Sequence, residues 1–294
     1  MVTTAIIGLG NMGAPMATNL AKARRDVRVY DKSAPAVARA AIAGCKATTS
    51  AAEAVRGADH VITMLPAGVD VAGVYREHII PHARKRALVI DCSTIDVETA
   101  RAIAADARAA ELRPADAPVS GGVAAARAGG LTFMVGCDPA DFEMIDIALN
   151  PMARAIIHAG PAGAGQAAKI CNNMLLGISM IGVCEAFALA EKLELDAERF
   201  FEIAKNASGQ CWSLTSYCPW PGLVSTAPSN NDYEPGFTAA MMLKDLRLAQ
   251  EAARKNGQET PLGALAETIY AALAEQGQGG KDFSAVIEKL RGKF

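Results

Sequence analysis

Along the first 160 residues, short and nearly unbroken apolar runs alternate with segments whose apolar positions recur at helical spacing. Residues 5–7, 27–30, 61–65, 88–91, 114–119, 131–135 and 155–157 are such runs and predict strands. Residues 14–23, 35–43 and 97–110 carry the helical period. Strands with no alternating polar face must be covered on both sides, so the pattern predicts a mostly parallel, doubly wound α/β sheet. Beyond residue 160 no further strand is expected. Residues 166–193 predict one long helix, and 198–206, 239–255, 262–274 and 284–290 also read as helical. Residues 211–236 hold Pro219, Pro221, Pro228 and Pro235 with both tryptophans, which predicts an irregular but ordered loop. The change of character places a domain boundary at 162, with an α/β domain over 1–162 and an all-helical domain over 163–294 that opens on the long helix.

Gly8-Leu9-Gly10-Asn11-Met12-Gly13 fits G-x-G-x-x-G. The pattern is weak by itself, but here it leaves the first strand and opens a helix, and Asp31 ends the second strand. That context is what a Rossmann-type dinucleotide site needs. Gly8 allows the tight turn, Gly10 the approach of a pyrophosphate, and Gly13 close packing of helix on strand. The amides of the helix end then hold the diphosphate. Asp31 is placed to accept from a ribose 2′-hydroxyl and to repel a 2′-phosphate, which favours NAD over NADP. Lys32 beside it partly offsets that repulsion.

Charge and cysteine content narrow the function classes. Twenty-nine basic and 31 acidic residues give a net charge of −2, with no basic stripe to hold a nucleic acid. Seven cysteines without a C-x-x-C pair form neither a disulfide framework nor a cysteine-built zinc site. The amino-terminal residues lack the basic region of a signal or transit peptide. The longest apolar stretch, 174–184, lies between Asn173 and Glu185 and is too short to span a bilayer. A soluble protein of the reducing cytoplasm is expected, with no metal, membrane or nucleic-acid partner. His78 and His82 flank Pro81, which breaks the helix that would align them on a metal, and His60 and His158 read as structural.

Several segments together resemble the β-hydroxyacid dehydrogenase family, in its 3-hydroxyisobutyrate branch. They are residues 8–16, Asp116-Ala117-Pro118-Val119-Ser120-Gly121-Gly122, Gly165-Gln166-Ala167-Ala168-Lys169-Ile170-Cys171-Asn172-Asn173, Pro219-Trp220-Pro221-Gly222 and Lys244-Asp245-Leu246. The resemblance runs the length of the chain. It implies a Rossmann domain joined by a long helix to a helical domain, working as a homodimer or homotetramer. It also implies NAD-dependent oxidation of 3-hydroxyisobutyrate to methylmalonate semialdehyde, a step of valine breakdown. The family's catalytic lysine falls on Lys169, its partner asparagine on Asn173, and its substrate-carboxylate segment on Ser120, Gly121 and Gly122. Further cofactor contacts fall on Leu65, Pro66, Thr94 and Lys244. Asp70 stands where relatives often carry asparagine, and a carboxylate there would weaken dinucleotide binding, so that contact is not carried over.

The chemistry is consistent with these residues. Oxidising an alcohol needs a base for the hydroxyl proton, while the nicotinamide takes the hydride. No histidine is suitably placed. Lys169 lies early in the long helix with Asn173 four residues on, along one face. Taken alone, Lys169 reads equally well as a solvated lysine whose stem lies on apolar surface. As a base it needs burial or a neighbouring cation, which Lys244 would supply if the helices converge. Ser120-Gly121-Gly122 reads either as a plain loop or as converging amides for a carboxylate. Asp245 would orient a lysine, and Trp212, Tyr217 and Phe237 would close over the substrate or simply pack. Cys171 and Cys184 read as core residues. L-Serine, glycerate or tartronate semialdehyde, and 3-hydroxypropionate are alternative substrates, since a pocket discriminates one small group weakly. A catalytically silent dinucleotide sensor is the alternative outside enzymology, and the presence of both Lys169 and Asn173 argues against it.

Overall fold

The computed structural model describes residues 2–293. The chain divides into two compact units, Met1–Lys169 and Ile170–Phe294. The first holds strands β1 (Thr3–Ile7), β2 (Asp26–Tyr30), β3 (Lys46–Ala47), β4 (His60–Thr63), β5 (Leu88–Asp91), β6 (Arg113–Asp116), β7 (Val119–Ser120), β8 (Leu131–Cys137) and β9 (Ala153–Gly160). Helices α1 (Gly13–Lys22), α2 (Ala34–Ile42), α3 (Ala51–Val55), α4 (Gly68–Val74), α5 (Val97–Ala109), α6 (Gly122–Ala128) and α7 (Phe142–Leu149) lie between them. The sheet order is β3-β2-β1-β4-β5-β6-β8-β7, with β9 also paired to β8. Every pair from β3 to β6 is parallel. β8 runs antiparallel to β6 and β7 and parallel to β9.

Register explains the unbroken apolar runs. Ile6 pairs with Val29 and Ile62, and Ile62 with Ile90. These residues face one core with Met16 and Leu20 of α1. Their neighbours Ala5, Ile7, Val61 and Val89 point the other way, onto Val71, Tyr75 and Ile79. Both faces are buried, so neither can be polar.

The run at 114–119, expected as one strand, is two. Ala117 N–H gives the last bond of the β5–β6 ladder, to Asp91 O at 2.7 Å, and Pro118 has no N–H to give a ladder. The parallel strand therefore stops at Asp116, and β7 resumes as an antiparallel partner of β8.

Helix α8 (Ala164–Lys192) begins in the first unit and ends in the second. By length and composition it could cross a membrane. Here its Met180, Cys184 and Phe187 are buried in the core of the helical unit. That unit continues with α9 (Ala197–Lys205), α10 (Trp212–Thr215), α11 (Ala239–Lys255), α12 (Pro261–Leu273) and α13 (Val286–Leu290). Thr238 caps α11 by accepting from Met241 N–H at 3.1 Å, and Met242, Leu246, Tyr270 and Ile287 complete the core. Cys184 is a core residue as expected, but Cys171 is exposed, because it lies with Leu175 on a face of α8 that this chain leaves uncovered.

Candidate active site

The glycine loop is shaped by backbone crowding. Gly8 has φ +97°, and a Cβ there would lie 2.2 Å from Met64 O. A Cβ on Gly13 would lie 2.0 Å from Gly8 O, so the close approach Gly13 permits is to the turn itself. Gly10 differs, for a Cβ there would meet nothing within 4 Å. Gly10 and Asn11 are exposed, Met12 is half-buried, and the Leu9 side chain is inside the core. Asp31 fastens the loop to the end of β2 by accepting from Leu9 N–H at 2.6 Å and Ser33 N–H at 2.7 Å. The residue preceding α1, Met12, gives no side-chain cap, and the first turn of α1 carries no acidic residue. A helix start left open in this way, beside an exposed glycine, fits a diphosphate. The residues present therefore suit a dinucleotide, with Asp31 at the ribose.

At the carboxyl ends of β4, β5 and β6 lies a buried polar network that sequence reasoning did not single out. Asp91 Oδ1 accepts from Thr63 Oγ1 at 2.7 Å and Ser93 Oγ at 2.6 Å. Ser93 Oγ in turn accepts from Leu65 N–H at 2.8 Å, which fixes the loop that carries Leu65 and Pro66. Gln166 spans the next gap, donating to Ser93 O at 2.8 Å and accepting from Ile95 N–H at 3.1 Å, so it brackets Thr94. Asp116 accepts from Gly163 N–H at 2.6 Å and Gln166 N–H at 2.8 Å. It therefore holds the first turn of α8 by two otherwise unmet amides. Burial pushes the Asp116 pKa up to about 6, against those two bonds. The approach is so close that a Cβ on Gly165 would lie 2.2 Å from Met134 O, and one on Gly136 would lie 2.4 Å from Asp116 Oδ1. Asp116 was legible only as part of a motif read for its last three residues.

One turn beyond Gln166 is Lys169, 7% exposed, and four residues later Asn173, 2% exposed. Both are interior side chains, which removes the solvated reading of Lys169. Within the second unit, Asn173 Nδ2 donates to Asp245 Oδ2, so Asp245 orients the asparagine. Lys244 beside it is half-buried. Ser120 ends β7, and Gly121 and Gly122 follow at φ +129° and +67°, where α6 opens. Asp70 is half-buried in the first turn of α4.

The three aromatic candidates gather in one cluster of the helical unit. Trp212 stacks on Tyr217 with centroids 4.9 Å apart, and Tyr217 and Phe237 both meet Phe283, at 5.4 Å and 5.7 Å. The residue that ties them was missed. Asp282 is wholly buried and accepts from Tyr217 Oη at 2.8 Å and from Gly236 and Phe237 N–H, each at 3.1 Å. Ser284 adds its N–H at 3.0 Å and its hydroxyl at 2.7 Å. The hydroxyl of Tyr217 is thus committed to a carboxylate, while half of Trp212 remains exposed.

Comparison with known proteins agrees with this geometry. Residues 3–160 match the family described as the NAD binding domain of 6-phosphogluconate dehydrogenase. Residues 163–290 match the one described as NAD-binding of NADP-dependent 3-hydroxyisobutyrate dehydrogenase. A Pseudomonas aeruginosa protein named NAD-dependent L-serine dehydrogenase is 49% identical over 99% of this chain and 98% of its own. A 3-hydroxyisobutyrate dehydrogenase of the same organism is 46% identical over the full length of both. The solved structure of Mycobacterium tuberculosis 3-hydroxyisobutyrate dehydrogenase with L-serine superposes with a TM-score of 0.96, at 49% identity and 99% coverage of each chain.

Proposed function

The chain belongs to the 3-hydroxyisobutyrate dehydrogenase family of NAD-dependent oxidoreductases, and from that premise we propose that it oxidises 3-hydroxyisobutyrate to methylmalonate semialdehyde. NAD is its cofactor, supplying the acceptor for a hydride when bound. The remaining work falls to the chain's own residues. The substrate's C3 carbon gives up a hydride, and its hydroxyl proton passes to the Lys169 amine. The aldehyde and the reduced dinucleotide are the products. In the reverse direction Lys169 returns the proton. Asn173, oriented by Asp245, directs the hydroxyl. Ser120 with the Gly121 and Gly122 amides receives the carboxylate. Asp31 accepts from the ribose 2′-hydroxyl and disfavours a 2′-phosphate.

The observation that carries this reading is the placement of Lys169. It is an interior lysine one turn from the Gln166 bracket, with Asn173 one turn further on. L-Serine is the second reading, favoured by the Pseudomonas relative's name and by the molecule in the Mycobacterium structure. The two substrates share a primary alcohol and a carboxylate and differ only in methyl or amino at C2. We also propose a cytoplasmic homodimer or homotetramer, since Leu175 and Leu189 of α8 are 63% and 60% exposed in the single chain.

The test follows NADH formation with both enantiomers of 3-hydroxyisobutyrate, L-serine, glycerate and 3-hydroxypropionate, in wild type and Lys169→Ala. The highest kcat/KM is expected on one 3-hydroxyisobutyrate enantiomer, falling roughly 10²–10⁴-fold in the variant. A higher value on L-serine moves the assignment to the second reading, and full activity of the variant removes Lys169 as the base.

A further inference from the structure

The parallel strands also have an amino-terminal edge, opposite the one that carries the glycine loop. There His60, Leu88 and Arg113 stand side by side in register. A cavity of about 290 Å³ opens beside them, lined by Arg25, Arg84, Arg86, Arg113, His60 and Asp59 among others. Four guanidiniums around one cavity stand out in a chain whose net charge is −2.

Two of the four are neutralised. Arg84 pairs with Asp59, which also accepts from Thr3 N–H at 2.7 Å. Arg113 lies 3.5 Å from Asp141. The other two have no carboxylate partner among the described residues. Among the described residues the Arg25 guanidinium donates only to Ile147 O, at 3.0 Å, which fixes its position without cancelling its charge. Arg86 is exposed and its guanidinium has no hydrogen bond or ion pair among the described residues. The turn that presents it is held by Arg86 N–H on Glu111 O at 2.8 Å, with φ +64°, a conformation glycine adopts at lower cost. His60 feels Arg25 and Arg84, although burial is the larger influence on it. Burial, together with Arg25 and Arg84, holds its imidazole below the ordinary histidine range, while Asp59 pulls the other way.

We propose that this arginine-lined cavity is a second ligand site, taking a small polyanion with two or more phosphoryl or carboxylate groups, separate from the dinucleotide loop. Planar guanidiniums bind such oxyanions through paired N–H bonds, and Arg25 and Arg86 supply two unneutralised forks. The volume lies at the small end of ligand pockets, which suits a diphosphate or a tricarboxylate better than a whole nucleotide. An anion there offsets the unneutralised charge of Arg25 and Arg86 and lessens the field on His60.

The experiment uses the full chain saturated with NAD, so that the glycine loop is occupied. Inorganic pyrophosphate and citrate are titrated separately at constant ionic strength, read by calorimetry and by the His60 ring resonances in NMR. Expected is saturable one-to-one binding of at least one anion, with the His60 pKa moving upward on saturation. Pyrophosphate alone marks a phosphoryl ligand, citrate alone a carboxylate one. Arg86→Glu, at an exposed position, should weaken binding roughly tenfold or more while leaving the melting temperature without anion unchanged. Arg25→Lys, which keeps the charge but loses the fork, should weaken it less. The proposal is overturned if neither anion saturates, if potassium chloride alone reproduces the His60 shift, or if Arg86→Glu binds as wild type.

Discussion

Asp116 in the first unit and Asp282 in the second are both buried among backbone donors, and the two differ in what they hold. Asp116, 5% exposed, serves two main-chain amides at the start of α8. Asp282, wholly buried, gathers the Tyr217 hydroxyl, the Gly236 and Phe237 amides and both donors of Ser284. In both, burial raises the pKa despite hydrogen bonds that lower it. Neither carboxylate is present for its charge. Each is an acceptor rich enough to join chain segments that no regular ladder connects. Asp116 joins a strand end to the helix that carries Lys169. Asp282 joins an aromatic cluster to the chain returning from α12. The placement of Lys169 therefore rests on the first knot and the shape of the helical unit on the second.

The sharpest way to break the comparison is to cut the larger knot. Asp282→Ala leaves five donors without their acceptor in a buried setting. With partial relaxation this is expected to remove roughly 3–5 kcal/mol of stability. Trp212 and Trp220 both belong to the second unit, so tryptophan emission during urea unfolding reports on that unit. A loss below about 1 kcal/mol would show that the donors find other partners, and that Asp282 is not a knot.

How far the two knots could be read beforehand follows from their sequence separation. The Rossmann half was legible because strands buried on both faces are uniformly apolar, and because the glycine pattern, the helix start and Asp31 must occur in that order. Lys169 and Asn173 were legible from their spacing once the surrounding motif was noticed. Asp282 was not, since Tyr217, Gly236 and Phe237 lie 65, 46 and 45 residues away and no local pattern announces the meeting. Gln166 was passed over because its partners Ser93 and Ile95 lie on another element altogether. The short helices α3, α6 and α7 lack the length to show a period. The exposure of Cys171 was hidden because a helix apolar on most faces carries no phase that says which face is outermost.

A smaller effect sharpens the contrast at Asp116. Its folded pKa of about 6 lies above the ordinary aspartate value of 3.8, so protonation favours the folded state. That contribution is fully present below 3.8 and is lost as pH rises through about 6. Relative to Asp116→Asn, which cannot titrate, wild type should gain about 2–3 kcal/mol of unfolding free energy between pH 7 and pH 4. Urea unfolding of both proteins across that range measures it. A constant difference would mean that Asp116 stays ionised, and that the two backbone bonds outweigh burial.

The smallest change separates packing from recognition at Tyr217. Tyr217→Phe keeps the ring between Trp212 and Phe283 and deletes only the hydroxyl given to Asp282. Four donors remain on that carboxylate, so the expected loss is about 1–2 kcal/mol, less than the alanine cut at Asp282. One donor that lowers the Asp282 pKa is also removed, and the raised value should rise further. Had the hydroxyl been a substrate contact, KM for the hydroxy acid would climb by an order of magnitude or more with stability nearly intact. With the hydroxyl spent on Asp282, KM should stay within about threefold while the urea midpoint falls. The ratio of those two changes decides whether the aromatic cluster reads the substrate through its oxygen or only supports the wall that does.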